Sequence, residues 1–256
     1  MKISTSQQPV YKDIDNNFEV IIDVLENNPD SDWILTPEGS LSGYCQNVCH
    51  ESTKEQKEKY FEVLTKLETY LLKNKRSMAL STGHIEQDGF PYNQMRYYYQ
   101  GQLIAAYNKQ LLTKTDQGGL GEYYYYLPGQ TSLEVEIADK FTVGSLLCND
   151  AWAFPSASPD GNPYLWKDYS NSKCVFVSAN CSTDELDSTI YTWHENHLQM
   201  HAKLNQQHVI VSAATTDMLG TPRDFVQAPS GIIGPDGKWI VKCKDSGSDV
   251  VTADIQ

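Results

Sequence analysis

A glutamate, a lysine and a cysteine each stand where an apolar run breaks off: Glu38 after "DWILTP", Lys109 after "QLIAAYN" and Cys148 after "FTVGSLL". A cysteine attacks as the thiolate, so it needs a group to take its proton and a cation or N–H donor to hold the oxyanion that forms. Histidine is one such base, but none of the six histidines stands in a context that reads as one, and four belong to or adjoin a single helical segment. A carboxylate whose pKa is raised by its surroundings serves instead, and a lysine supplies a fixed cation. Taken singly, Cys148 reads as a small buried hydrophobe, Lys109 as a solvated side chain and Glu38 as a loop carboxylate. Their joint placement at strand ends, where ligand sites gather in α/β sheets, points to thiol chemistry.

The elements that must hold them follow from periodicity. In "IDNNFEVIIDVLENN" the residues Ile14, Phe18, Ile21 and Leu25 step by helical intervals, as do Tyr60, Leu64, Leu67 and Leu71 in "KEQKEKYFEVLTKLETYLLKNK". Ser52 and Glu55 have the spacing of a capping box before the second helix. A third helix is expected over Ser188 to Gln206. Short strand-like runs fill the rest, among them "SMALSTGHIEQ", "QMRYYYQ", "LEVEIAD", "KCVFVSAN", "HVIVSAATT" and "SDVVTADI". The order of strands and helices fits helices covering a two-layered sheet system in one domain spanning 1–256, with no internal repeat and no linker.

Composition narrows the classes. The net charge is −13 and arginine occurs only at Arg76, Arg96 and Arg223, so a surface that tracks phosphates is excluded and no nucleic-acid partner is expected. There is no 18-residue apolar run and no signal-peptide core, so a soluble, cytoplasmic protein with reduced cysteines and no membrane partner is expected. In "HENHLQMH", His197 and His201 lie one turn apart near Glu195. This is not H-E-x-x-H, and no Cys or Asp cluster completes a tetrahedral set, so no metal is expected. "CQNVCH", from Cys45 to His50, reads as loop packing. The tyrosines at 97–99 and 123–126 read as pocket or oligomer-interface residues.

The ordered set of motifs resembles the carbon-nitrogen hydrolase, or nitrilase, superfamily along nearly the whole chain. Pro37, Glu38, Gly43 and Tyr44 match its "PE…GY", Tyr107 to Lys109 its "Y-x-K", and Gly144 to Cys148 its "G-x-x-x-C". Glu122, six residues before the proline of a "P-G" pair, matches a second glutamate; Tyr92–Asn93 and "PSGIIGPDGKWI" match further. The resemblance implies an α/β fold, a four-layer αββα sandwich that pairs through a helical face. It also implies that Glu38 is the general base, Cys148 the nucleophile and Lys109 the oxyanion cation, helped by a backbone N–H near Asn149. Glu122 would orient the substrate and tune the others. On the physical side, a lysine beside the thiol is expected to lower its pKa.

After the nucleophile, Asn149 and Asp150 look closer to amide and N-carbamoyl amino acid hydrolases than to nitrilases, which resemble "C-W-E" there. The arginines that carbamoyl enzymes carry next are replaced by Ala151, Trp152, Ala153 and Phe154, leaving Arg223 in "TPRDF" to receive a substrate carboxylate. Asn149, Trp152, Tyr44 and Arg223 are therefore the candidate substrate-binding residues. The expected activity is hydrolysis of a small amide or N-carbamoyl compound through a covalent Cys148 intermediate, without a cofactor. A nitrilase and an acyltransferase are the alternatives, and a homodimer or homotetramer is the expected assembly.

Overall fold

The computed structural model describes the chain apart from residues 45–46, 114, 117–118, 139–140 and 153–164. Its principal elements are β1 (Lys2–Gln7), α1 (Ile14–Asn27), β2 (Trp33–Leu35), α2 (Lys54–Lys73), β3 (Met78–Ile85), β4 (Pro91–Tyr99) and β5 (Gln102–Asn108). These are followed by β6 (Glu134–Ala138), β7 (Phe141–Leu147), β8 (Cys174–Ala179), α3 (Ser188–Asn205), β9 (His208–Ala213), β10 (Gly231–Ile233), β11 (Trp239–Lys242) and β12 (Asp249–Asp254). Helix α1 starts where the Asp13 carboxylate accepts the Asn16 N–H at 2.9 Å. The capping box of α2 is one residue later than the sequence spacing suggests. Thr53 and Gln56 exchange hydrogen bonds of 2.8 and 3.2 Å, while the Ser52 hydroxyl accepts the Cys49 N–H at 2.8 Å.

The strands form two six-stranded sheets, β12-β1-β2-β3-β4-β5 and β11-β10-β9-β8-β7-β6. Alternation along each strand sorts side chains between two faces. Ile3, Trp33, Leu35, Met95, Tyr97 and Tyr107 meet Val143, Leu147, Phe176 and Ile210 in the layer between the sheets. On the outside of the first sheet, Ile34, Met78, Leu80 and Tyr98 pack under the apolar stripes of α1 and α2. On the outside of the second, Leu146, Val175, Val177 and Val209 pack under Leu198 and Ala202 of α3. The result is the four-layer αββα sandwich.

The two sheets share one series of strand pairings. Walking from β12 through β1 to β5, the pairings run antiparallel, parallel, parallel, antiparallel, antiparallel. Walking from β6 through β7 to β11 gives the same series. The repeat lies in the pairing series rather than in chain order, since β12, the last strand, stands beside β1 in the first sheet while β6 to β11 follow one another in the second.

This path decides where the chemistry falls. Strands β1, β2, β3 and β5 point one way and β4 runs against them, so the start of β4 lies at the edge where β2 and β5 end. In the second sheet β7 and β8 run parallel and finish side by side. Loops leaving these ends carry the candidate residues, as expected for crevices at the carboxyl ends of parallel strands.

Candidate active site

Glu38, Lys109 and Glu122 come together in a fully buried cluster, with Asn93 among them. The Lys109 ammonium donates to Glu38 Oε1 at 2.7 Å and to Glu122 Oε1 and Oε2 at 2.9 and 2.7 Å. The Asn93 carboxamide donates to Glu38 Oε1 and Glu122 Oε1, both at 2.9 Å. Glu122 opens a short 3-10 turn and also accepts the Thr113 N–H at 3.1 Å. Among the described residues, Glu38 Oε2 is buried without a hydrogen-bond partner.

Two carboxylates around one ammonium leave a surplus negative charge in a dry place. Burial pushes the Glu38 pKa well above the ordinary carboxylate range, against the opposing pull of Lys109, and Cys148 and Glu122 add to the rise. For Lys109, burial works against the charge, but Glu122 and Glu38 outweigh it and hold the pKa well above the usual value. The lysine is therefore a permanent cation.

Cys148 follows β7 with φ +45°, a left-handed conformation that an L-residue adopts at a cost of about 1–3 kcal/mol. Its N–H donates to the Ser178 carbonyl at 2.7 Å, which ties it to the end of β8, and a helical turn at Asn149–Trp152 begins at once. The thiol is not lowered by Lys109 as expected from the sequence. A hydrogen bond with the Cys181 side chain and then burial raise its pKa well above the ordinary value, and the pull of Lys109 is the lesser effect. The resting sulfur is a neutral thiol that needs a base. Cys181, two residues beyond β8, packs with Cys148 against the apolar layer under α3.

Asp150 couples the sheets at this edge. Its carboxylate accepts from Tyr107 OH at 2.8 Å and Leu147 N–H at 3.1 Å with one oxygen, and from Leu111 and Gln110 N–H at 2.7 and 3.1 Å with the other. Burial raises its pKa to about 6. The group thus fixes the strand end before Cys148 to the turn after Lys109.

The other expected contacts are distributed differently. The Asn149 carboxamide donates to the Leu111 carbonyl at 3.0 Å, so it braces the lysine loop. Trp152 is buried against His194 and Trp193, with its Nε1 unpartnered among the described residues. Tyr44 is buried, and its carbonyl accepts Tyr126 OH at 2.5 Å. Arg223 is engaged by Asp217 and Asp184 on an outer loop, which occupies the guanidinium that the sequence reading assigned to a substrate carboxylate.

Tyr97, Tyr98 and Tyr126 are core residues, whereas Tyr124 is exposed. His197 and His201 stack among Trp166 and Trp193, and burial holds His201 and His194 near pKa 4, so these two rings are neutral at pH 7. Among the described residues no cluster of three or more His, Cys, Asp or Glu side chains is arranged to hold a metal ion. Cys45 lies outside the described residues, while Cys49 and Cys174 are buried.

Residues 2–256 match a protein family described as carbon-nitrogen hydrolase. No curated protein sequence matches the chain. Among solved structures, a cysteine-to-alanine mutant of the amidase from Nesterenkonia sp. AN1 in complex with butyramide superimposes with a TM-score of 0.78 at 17% identity, covering 100% of this chain and 90% of that one. A glutamate-to-glutamine mutant of that amidase, showing the result of Michael addition of acrylamide at its active-site cysteine, gives 0.77 at 17%, covering 100% and 93%. The glutamine-dependent NAD+ synthetase from Acinetobacter baumannii gives 0.73 at 19%, covering 98% of this chain and 45% of that one.

Proposed function

Because the chain belongs to the carbon-nitrogen hydrolase family, we propose that it hydrolyses a non-peptide C–N bond of a small amide or N-carbamoyl compound through a covalent intermediate on Cys148. The observation that carries this reading is the buried Lys109 ammonium shared by two glutamates, one of which keeps a single oxygen, Glu38 Oε2, without a partner among the described residues.

Cys148 Sγ bonds to the substrate carbonyl carbon while its proton passes to Glu38 Oε2. Lys109 and the backbone N–H of Asn149 stabilise the oxyanion. Collapse breaks the C–N bond, and the proton on Glu38 goes to the leaving ammonia or amine. A thioester, or carbamoyl-thiol, remains on Cys148. Glu38 then takes a proton from water, whose oxygen bonds to the same carbon; the C–S bond breaks and the sulfur recovers the proton as the acid departs. Burial disfavours the charged form of Glu38, and the Cys181 contact and then burial disfavour that of Cys148, so both groups favour their protonated forms more than they would in water.

An ammonia-release screen over aliphatic amides, N-carbamoyl amines and nitriles tests this directly. Amide or carbamoyl turnover is expected, and Cys148→Ala should abolish it. Turnover confined to nitriles would replace the amide reading, and transfer of the acyl adduct to hydroxylamine in preference to water would replace hydrolysis by acyl transfer. The exposed apolar stripe of Ile190, Trp193, Met200 and Leu204 along α3 supports pairing of two copies through that helix.

A further inference from the structure

We propose that Asn93 is a positioning residue that decides which oxygen of Glu38 carries the proton. This rests on the reading of Glu38 as the base and assigns a role to a residue that neither attacks nor holds the oxyanion.

The assignment follows from the donor count. Glu38 Oε1 receives both the Lys109 ammonium at 2.7 Å and the Asn93 carboxamide at 2.9 Å. A proton on that oxygen would confront two donors, so the neutral carboxyl carries its hydrogen on Oε2, the oxygen with no partner among the described residues. The second Asn93 hydrogen goes to Glu122 Oε1 at 2.9 Å, which fixes the two carboxylates relative to each other.

A carboxamide suits this task because it offers two donors without charge. A second lysine would neutralise the cluster, and an aspartate would add a third carboxylate to one ammonium. The backbone is used as well, since the Asn93 carbonyl accepts the Lys109 N–H at 2.8 Å and keeps β4 and the lysine turn in register. The side chain's own Oδ1 is buried without a partner among the described residues, a cost that packing alone would select against. The charged or titratable groups that face Glu38 are Lys109, Glu122 and Cys148, so Asn93 is the neutral donor of the set.

The test compares Asn93→Leu, which keeps the branched shape at somewhat larger volume and removes both donors, with wild type on the amide identified by the screen. Loss of a hydrogen bond to a carboxylate favours the neutral carboxyl. The acid limb of the kcat–pH profile should move to higher pH, with kcat at neutral pH down about 10- to 100-fold and KM changed less than about threefold. An unmoved acid limb, whatever the change in kcat, overturns the proposal. Asn93→Ala, checked by circular dichroism, takes the place of the leucine variant if that one does not fold, with the same two outcomes. Glu38→Gln is run beside them. If it retains activity, the base assignment itself fails; if it is inactive while the Asn93 variants keep the wild-type acid limb, only the role of Asn93 is lost.

Discussion

At the scale of single residues, the centre combines a permanent cation with a neutral nucleophile. Because the Cys181 contact is the largest influence raising the Cys148 pKa, its removal has a definite sign. In Cys181→Ala the thiolate should form at lower pH, and iodoacetamide labelling of Cys148 at pH 7.5, followed by peptide mass spectrometry, should run severalfold faster than in wild type. Equal rates would mean that Cys181 is only packing. The raised pKa of Glu38 works in the other direction on turnover, since a base must be ionised to accept a proton. Activity should therefore fall on acidification at a pH above the range of an ordinary carboxylate. Glu38, Lys109 and Cys148 were legible in sequence because each ends an apolar run, whereas Glu122 carried only a motif match. Asn93 carried only a motif match, because "QMRYYYQ" starts the strand at Gln94, whereas β4 begins at Pro91 and includes it. The sign of the Cys148 shift was not legible, since it depends on a thiol 33 positions away that only the pairing of β7 with β8 brings close.

At the scale of elements, one glycine sets the reach of the lysine strand. Gly129 donates its N–H to the Lys109 carbonyl at 2.7 Å, and a Cβ built on it would stand 2.1 Å from the Asn108 carbonyl oxygen. Backbone meets backbone there, so nothing can rotate aside. Gly129→Ala should lower stability by about 1–3 kcal/mol in urea unfolding and depress kcat by displacing Lys109. Unchanged unfolding and turnover would show that the turn relaxes freely. In sequence this glycine was half of a "P-G" pair beside Glu122, and its contact with the far side of the site had no local signature. The helices α1 and α2 were readable from their apolar steps, because each lays one stripe on the first sheet, and the third was expected over Ser188 to Gln206 without such steps. The α2 cap was displaced by one residue because serine, threonine, glutamate and glutamine all satisfy the same spacing rule.

At the scale of the molecule, the outer surface of α3 is the feature that folding leaves unfinished. Ile190, Trp193, Met200 and Leu204 are 41, 38, 46 and 70% exposed along one side of that helix. Pairing of two copies through it predicts a dimer mass by light scattering, reduced to the monomer in the double variant Trp193→Asp, Leu204→Asp. A monomeric wild type would dismiss the pairing. The repeated series of pairings in the two sheets escaped the sequence reading because strand order is fixed by long-range pairing that residue types do not encode. That same pairing sets a clock on biosynthesis. Strand β1 leaves the ribosome first, yet one of its two neighbours is β12, with Lys2 opposite Asp254. At about 5–20 residues per second, roughly 12–50 s separate the two strands, during which an edge of β1 waits unpaired. Glu38, Lys109, Glu122 and Cys148 are all made before β12, so the residues of the site are present while β1 still stands as an edge of its sheet, a place that β12 takes over once it pairs.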